Sequence, residues 1–212
     1  QDSELKTEVN LDGSIHLTDR LSTATLLHFE NRQTDHDGND DGFMDMPKLR
    51  QYNIMHRWAY VSPRWISQLM VRALHDERKG GQSLKHTNTD SAELPYSTSV
   101  KTNRYEMQWK NGFTLNSDHN TSVALMMHGS WHDADNIFGM TQYDVTQKNG
   151  YAQLMFETDI NEHNNISVGA SLNHDYYDER FNPLGAMPDA GSKATKETTT
   201  GLYAQYTYKL GE

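Results

Sequence analysis

Apolar and polar residues alternate along most of the chain with a period of two. In residues 5–17, leucine, valine and isoleucine occupy only odd positions, whereas lysine, glutamate, aspartate and asparagine occupy only even positions. Successive side chains of a β-strand point to opposite faces of its sheet, so this pattern predicts a two-faced strand. Helical spacing would mix the two classes on each face. The same alternation recurs in 104–115, 123–132, 166–173 and 202–210.

The alternation and the turn residues between its runs predict about nine long strands. Short connections rich in Asp, Asn, Ser and Pro alternate with long polar loops along the chain, which is typical of an up-and-down antiparallel meander and of outer-membrane barrels. The predicted strands are 4–17, 21–34, 49–62, 65–79, 98–116, 120–134, 145–160, 164–178 and 196–210. The long loops are expected at about 35–48, 80–97, 135–144 and 179–195.

Strand length favours a membrane barrel over a globular β-fold. Globular strands usually have about 5–6 residues, whereas about 9–11 residues cross a bilayer at a tilt of about 45°, and most of the predicted strands are longer than either. A soluble β-sandwich or a lipocalin-like barrel also shows alternation, and it stays open as an alternative. Tyrosines and tryptophans near strand ends predict aromatic girdles: Trp58, Tyr60, Trp65, Trp131, Tyr143, Tyr151, Tyr176, Tyr206 and Tyr208.

Composition excludes several classes of protein. The 212 residues carry 19 Lys and Arg against 29 Asp and Glu, a net charge of -10 that argues against a nucleic-acid partner. The chain has no cysteine, so disulfides and thiolate metal sites are excluded. No run of about 18 apolar residues occurs, which excludes a membrane-spanning helix. The hydrophobic share of 35% is low, but a barrel strand needs only one apolar face.

Residues 35–45 hold the one pattern with metal-binding chemistry. From position 37 they follow D-x-N-x-D-G-x-x-D, which matches the start of a calcium-binding EF-hand loop. Gly42 would permit the sharp turn, but the closing glutamate of an EF-hand is replaced by Lys48. We therefore expect calcium to rigidify an external loop here without catalysis. The expected ligands are the side chains of Asp37, Asn39, Asp41 and Asp45 and the backbone carbonyl of Phe43, with Asp35 as a candidate outer ligand.

Other chemistry is weakly represented in the sequence. A solvated acidic hairpin tip remains the alternative to the calcium loop. The eleven histidines show no spacing diagnostic of zinc. No glycine-rich phosphate loop and no G-x-S-x-G nucleophile turn occurs. The sequence therefore predicts that the protein is not an enzyme, and it identifies no substrate-binding residue.

Three stretches of the chain resemble the barrel of TonB-dependent outer-membrane receptors of the non-SusC type. The first is strand 21–34 followed by 37–48 and by Arg50-Gln51-Tyr52-Asn53. The other two are Glu77-Arg78-Lys79-Gly80-Gly81-Gln82 and Asn173-His174-Asp175-Tyr176-Tyr177-Asp178-Glu179. The order and spacing of these stretches carry the resemblance, which extends along the whole chain.

The resemblance implies a 22-stranded transmembrane barrel filled by an N-terminal plug domain in a Gram-negative outer membrane. It implies uptake of a scarce nutrient such as siderophore-iron, haem or cobalamin, energised through the TonB protein. Residues 1–212 show no plug, no TonB box and no closing aromatic strand, so we expect a partial barrel domain. The expected partners are the lipid bilayer, the plug domain, TonB and an unidentified nutrient.

Two alternatives of other classes stay open. One is a complete small outer-membrane barrel of about eight to ten strands that acts as a passive channel or an adhesin. The other is a soluble calcium-stabilised β-sheet binding module. On the membrane hypothesis, a charge at the lipid midplane costs about 2–4 kcal/mol. Odd positions of the first strand would therefore face lipid, whereas five charged residues would face the lumen: Lys6, Glu8, Arg104, Glu106 and Lys110.

Overall fold

A computed structural model shows a single antiparallel sheet of nine strands, ordered in space as they are in sequence. The structure describes residues 5–83, 95–118, 120–183 and 191–210. The strands are β1 (Lys6–His16), β2 (Leu21–Arg32), β3 (Lys48–Val61), β4 (Trp65–Gly81), β5 (Ser97–Asn116), β6 (Thr121–Phe138), β7 (Thr141–Asn161), β8 (Asn164–Pro183) and β9 (Gly191–Tyr208). The prediction of an all-β, nine-stranded up-and-down meander is confirmed.

The sheet is open. Each strand pairs only with its neighbours in sequence, and within the described residues β1 makes no contact with β9. Since neighbouring strands are antiparallel throughout, β1 and β9 run in the same direction. These two edge strands therefore keep one row of backbone hydrogen-bonding groups that no described strand pairs.

Two predicted loops are shorter than expected. The loop predicted at 135–144 is wrong, because β6 continues to Phe138 and β7 starts at Thr141. A tight turn at Gly139, with a φ of 60°, joins the two strands, and glycine adopts this conformation without strain. β8 likewise continues to Pro183, beyond the predicted loop start. The remainder of the loops predicted at 80–97 and 179–195 falls partly on 84–94 and 184–190, outside the described residues.

The strand registers assign one face of the sheet to apolar residues. Leu11 lies opposite Leu27, which lies opposite Ile54, and the row continues through Ala73 and Tyr105. Residues that pair directly across strands lie on the same face. We call this surface the apolar face. It includes Val9, Leu11, Ile15, Leu27, Phe29, Tyr52, Ile54, Trp58, Leu69, Val71, Tyr105, Met107, Trp109, Phe113, Leu125, Met127, Trp131, Leu154, Phe156, Val168, Leu172 and Leu202.

The opposite surface, which we call the polar face, carries the other half of each strand. All five charged residues that the sequence assigned to one side lie on it. Its polar members include Lys6, Glu8, Asn10, Asp12, Glu30, Arg72, Arg104, Glu106, Lys110, His128, Asn149 and Asp175. Tyr143 and Tyr151 also lie on the polar face, so their expected place in an aromatic girdle is wrong. The period of two fixes this result, because both sit at odd positions of β7.

No second layer covers the apolar face in the described part of the chain. The accessible surface is 14572 Å², whereas a compact monomer of 24.3 kDa would expose about 10,000 Å². Among the described residues, the buried hydrophobic ones are Leu49, Ala134 and Val145. Leu11 and Leu202 in the two edge strands are 60% and 88% exposed. The sheet therefore has no hydrophobic core of the kind that a β-sandwich builds between its layers.

Candidate functional site

The acidic loop predicted to bind calcium connects β2 to β3. Two residues in it adopt positive φ angles, Asp40 at 55° and Gly42 at 85°. These angles curl the backbone, and aspartate and glycine are among the residues that tolerate them. The loop is thus a compact turn. It lies at the end of the sheet that carries the long connections between strands.

Within this loop the predicted side-chain ligands bond to the backbone and to each other. Asp37 accepts hydrogen bonds from the amides of Asp41 (3.2 Å) and Gly42 (2.9 Å). Asp41 accepts from the amide of Phe43 (2.9 Å) and from Asn39 Nδ2 (3.0 Å). Such bonds shape a turn without a metal.

The two outer acidic residues are held apart from that centre. Asp45 Oδ2 accepts from the amide of Gly38 at 2.7 Å and lies 3.8 Å from His36 Nε2. Asp35 Oδ2 lies 4.0 Å from Lys48 Nζ. No group of three or more His, Cys, Asp or Glu residues stands at metal-holding spacing in the described ranges. The oxygen donors suit calcium chemically, but in this arrangement they serve as turn caps, and calcium binding stays a prediction.

The loop is docked onto the end of β4, a feature that the sequence analysis missed. The amide of Met44 donates to the Gly81 carbonyl oxygen at 2.9 Å, and the amide of Ser83 donates to the Gly42 carbonyl oxygen at 2.8 Å. Gly81 has a φ of 119°, which redirects the chain so that both bonds form. The sequence signal for this docking is the pair Gly80-Gly81.

The polar face carries a network of charged groups around Glu106 of β5. Arg104 Nη2 lies 2.8 Å and Arg72 Nη1 lies 3.4 Å from its carboxylate, and His128 Nε2 lies 4.0 Å away. Arg72 also donates to Asn53 Oδ1 at 3.1 Å. Four adjacent strands, β3 to β6, contribute to this network. It needs no metal to balance its charge, since each carboxylate oxygen already faces a guanidinium.

A concave surface of about 650 Å³ surrounds this network and reaches across the polar face to Asn10 and Asp12 of β1. Its lining combines charged, amide and imidazole groups with apolar side chains, including Leu11, Leu26, Leu27, Met55 and Met70. Such a lining presents many groups that can form hydrogen bonds with water or with the polar surface of another molecule.

Several polar side chains on the apolar face are paired with one another. His56 Nδ1 lies 2.6 Å from Thr25 Oγ1, and His75 Nδ1 lies 2.7 Å from Asn103 Oδ1. Two tryptophans donate in the same way, Trp65 Nε1 to Asn111 Oδ1 (3.3 Å) and Trp109 Nε1 to Ser67 Oγ (3.1 Å). His174 Nδ1 lies 2.8 Å from Thr198 Oγ1. The sequence signal for these pairs was their parity, which they share with the leucines and valines of their strands.

No protein-family model, curated protein or solved structure matches the chain. A search of the described residues for a helix that is long and apolar enough to span a membrane finds none.

Proposed function

We propose that the chain is part of the wall of a 22-stranded outer-membrane barrel, in an active transporter for a scarce nutrient. The nutrient class is siderophore-bound iron, haem or cobalamin, and the energy comes through TonB. The observation that carries the proposal is the uncovered apolar face, which spans all nine strands and has a charged surface on its other side. Lipid is the solvent that makes such a face stable, and an enclosed aqueous lumen suits the other.

Aromatic residues bound the apolar face at a distance that fits a bilayer. In β3 they are Tyr52 and Tyr60, which enclose a span of about nine residues, and in β5 they are Tyr105 and Phe113, which enclose the same span. About 9–11 residues cross the hydrocarbon at a tilt of about 45°. Aromatic girdles mark both interfaces of outer-membrane barrels, so this spacing supports the proposal.

The paired polar groups of the apolar face also suit hydrocarbon. The Thr23 hydroxyl donates to the Arg57 carbonyl oxygen at 3.0 Å, so His56 Nε2, at 2.8 Å, donates to Thr23 Oγ1. His56 Nδ1 then accepts from Thr25. Both ring nitrogens of a neutral histidine are satisfied in this way. An unpaired polar group in an apolar medium costs several kcal/mol, so the pairing supports contact with lipid.

The parallel direction of β1 and β9 favours a wall segment over a complete small barrel. Single-chain outer-membrane barrels of bacteria have an even number of antiparallel strands. Direct closure of β9 onto β1 would make one parallel pair. The edge strands also carry the two-faced pattern to the sheet margins, with Leu11 and Leu202 on the apolar face. Further strands on both sides would pair these edges. A soluble module is disfavoured because no described segment covers the apolar face.

Transport itself rests on the resemblance of residues 21–53, 77–82 and 173–179 to TonB-dependent receptors. The test is uptake by Gram-negative cells that carry the intact protein, with and without TonB. Radiolabelled ferric siderophore, haem and cobalamin are supplied one at a time. We expect uptake of one of them, loss of that uptake without TonB, and recovery of the protein in the outer-membrane fraction.

Two other results would replace the proposal. TonB-independent permeation of small solutes, with the protein in the outer membrane, would identify a passive channel. Recovery of the protein in the soluble periplasmic fraction would identify a soluble binding module.

A further inference from the structure

Two lysines stand on the apolar face at its loop-side boundary. Lys148 of β7 lies opposite Trp131 and Tyr176, and Lys196 of β9 lies opposite Tyr176. The Lys148 ammonium sits 5.3 Å from the Trp131 ring centre and 5.8 Å from that of Tyr176, and the Lys196 ammonium sits 5.7 Å from Tyr176. Both cations are therefore gathered around one tyrosine ring by cation–π contact.

This pair marks the limit of charge on the apolar face. A row here is a set of residues that pair directly across the strands. Lys148 and Lys196 share one row, and further rows lie between it and the short turns. In all of these rows, the described strand residues of the apolar face include no other Asp, Glu, Lys or Arg. Charged residues of both signs lie on the other side of the row, such as Glu77 and Lys101. The two ammonium groups thus stand where the apolar surface begins.

No described carboxylate forms an ion pair with either lysine. The acidic residue that follows Tyr176 on this face is Asp178, which accepts a hydrogen bond from the Tyr176 hydroxyl at 3.4 Å and lies 3.8 Å from Arg180 Nη2. The whole chain carries a net charge of -10, so two neighbouring lysines without a direct ion pair among the described residues are a local exception. Such a pair attracts an anion from outside the chain.

A shallow groove of about 520 Å³ lies between the two lysines. Its lining is Lys148, Asn149, Gly150, His174, Tyr176 and Lys196. A Cβ atom added to Gly150 would meet no atom within 4 Å, so the floor of the groove is open. The next row toward the turns holds Ala152 and Leu172, which are apolar. A molecule with an anionic head and a hydrocarbon tail fits this sequence of surfaces.

We infer that Lys148 and Lys196 bind the phosphate of a membrane lipid, whose acyl chains lie along the apolar face below them. Lysine is an effective point charge for phosphate. Tyrosine and tryptophan favour the headgroup level of a bilayer. Free phosphate would make no contact with the apolar rows next to the groove, whereas the acyl chains of a lipid would cover them. The lipid is therefore the better partner. This inference rests on the proposed membrane location.

The test compares lipid preference in the full-length protein after reconstitution into phosphatidylcholine vesicles. Either brominated phosphatidylglycerol or brominated phosphatidylcholine is added, and quenching of Trp131 fluorescence is measured against a Trp131→Phe blank of each variant. In the wild type we expect a clear preference for phosphatidylglycerol. In K148Q/K196Q the preference falls by roughly 25-fold, which corresponds to about 1 kcal/mol for each lysine at an anionic surface.

Two variants separate charge from position. Lys193→Gln removes a lysine from the polar face of β9 and leaves the preference unchanged. Gly150→Leu fills the groove, keeps both charges and weakens the preference. An equal preference in K148Q/K196Q and wild type would overturn the inference. So would complete competition by millimolar inorganic phosphate, which would identify a free-anion site. Failure of the wild type to insert would instead refute the membrane location, on which the inference depends.

Discussion

The imidazole of His56 is held between two threonines on the apolar face, with its Nδ1 2.6 Å from Thr25 Oγ1. This arrangement gives a prediction about stability in a bilayer. Thr25→Val leaves one imidazole nitrogen without a partner, so we expect it to lower the free energy of unfolding by about 1 kcal/mol in lipid. Thr200→Val is the matched control, since Thr200 lies on the same face and bonds to no other described side chain. Urea unfolding in vesicles measures both, and an equal effect of the two changes would contradict the role of the pairing.

The two faces predict opposite tolerance of charge on the same strand. Leu125 lies on the apolar face of β6, and Ser130 lies on its polar face. Leu125→Lys places an ammonium group in hydrocarbon, which costs about 2–4 kcal/mol at the midplane and less toward the interface. We expect it to reduce insertion strongly, whereas Ser130→Lys inserts as the wild type does. Protease protection of the protein in outer-membrane vesicles provides the measurement. Equal insertion of the two variants would show that the facing assignment is wrong.

The alternation of side chains was sufficient to predict the meander and both of its faces. Every register between β1 and β9 places the expected leucines and valines on the same face, because a period of two leaves only two choices of face and charge selects between them. The odd positions of Tyr143 and Tyr151 already placed them on the same face as Asn149, Glu157 and Asp159 of β7. Their proximity to a strand end was the weaker signal.

The ends of the strands toward the long loops were harder to predict. Asp135 and Asp144 lie in the predicted loop 135–144, yet they belong to β6 and β7. Polar composition is a weak signal for a loop here, because the backbone ladder of these two strands continues and Ala134 pairs with Val145 within it. The docking of the acidic loop on Gly81 depends on contacts between distant segments, which a local pattern does not encode.

Gly81 gives a prediction about this docking. Its φ is 119°, and an added Cβ would lie 2.3 Å from the Tyr96 carbonyl oxygen. Gly81→Ala therefore forces the backbone to move, at a cost of about 1–3 kcal/mol. Gly150→Ala is the control, because its Cβ meets nothing within 4 Å. We expect only the first change to lower the unfolding midpoint and to speed proteolysis within residues 35–45. Equal midpoints and cleavage rates would contradict the docking.

The pair Glu77 and Lys79 predicts a small dependence of stability on pH. Their charged atoms lie 2.7 Å apart near the loop end of β4. The hydrogen bond from Lys79 lowers the pKa of Glu77 below its ordinary value of 4.5. A lowered folded-state pKa adds stability above pH 4.5, and that stability is lost as the pH falls through the folded pKa. The lysine is mostly exposed, so solvent screening keeps the effect below about 1 kcal/mol.

Lys79→Gln should therefore flatten the decrease in the free energy of unfolding between about pH 5 and pH 3. Lys193→Gln removes a lysine without this partner and should leave the decrease as it is. Urea unfolding at a series of pH values measures both. A decrease of the same size in Lys79→Gln and in the wild type would show that the pair does not contribute.

Calcium is expected to reorganise the loop between β2 and β3. Asp37, Asp41 and Asp45 supply hard oxygen donors that now accept bonds from backbone amides. Because six to eight oxygens surround calcium, binding would replace several of these bonds and draw the carboxylates together. Bound ion raises the unfolding midpoint in proportion to the logarithm of its concentration above the dissociation constant.

The measurement is a calcium titration of the unfolding midpoint and of proteolysis at residues 35–45. We expect calcium to protect the wild type and to have no effect on D37N/D41N. Asp12→Asn, a carboxylate on the polar face of β1, is the control and should respond as the wild type does. Magnesium serves as the second control, since it demands near-ideal octahedral geometry and gives up its water ligands reluctantly. If the wild-type loop is equally sensitive to protease with calcium and with a chelator, the calcium prediction is wrong. The acidic residues would then serve only to cap the turn.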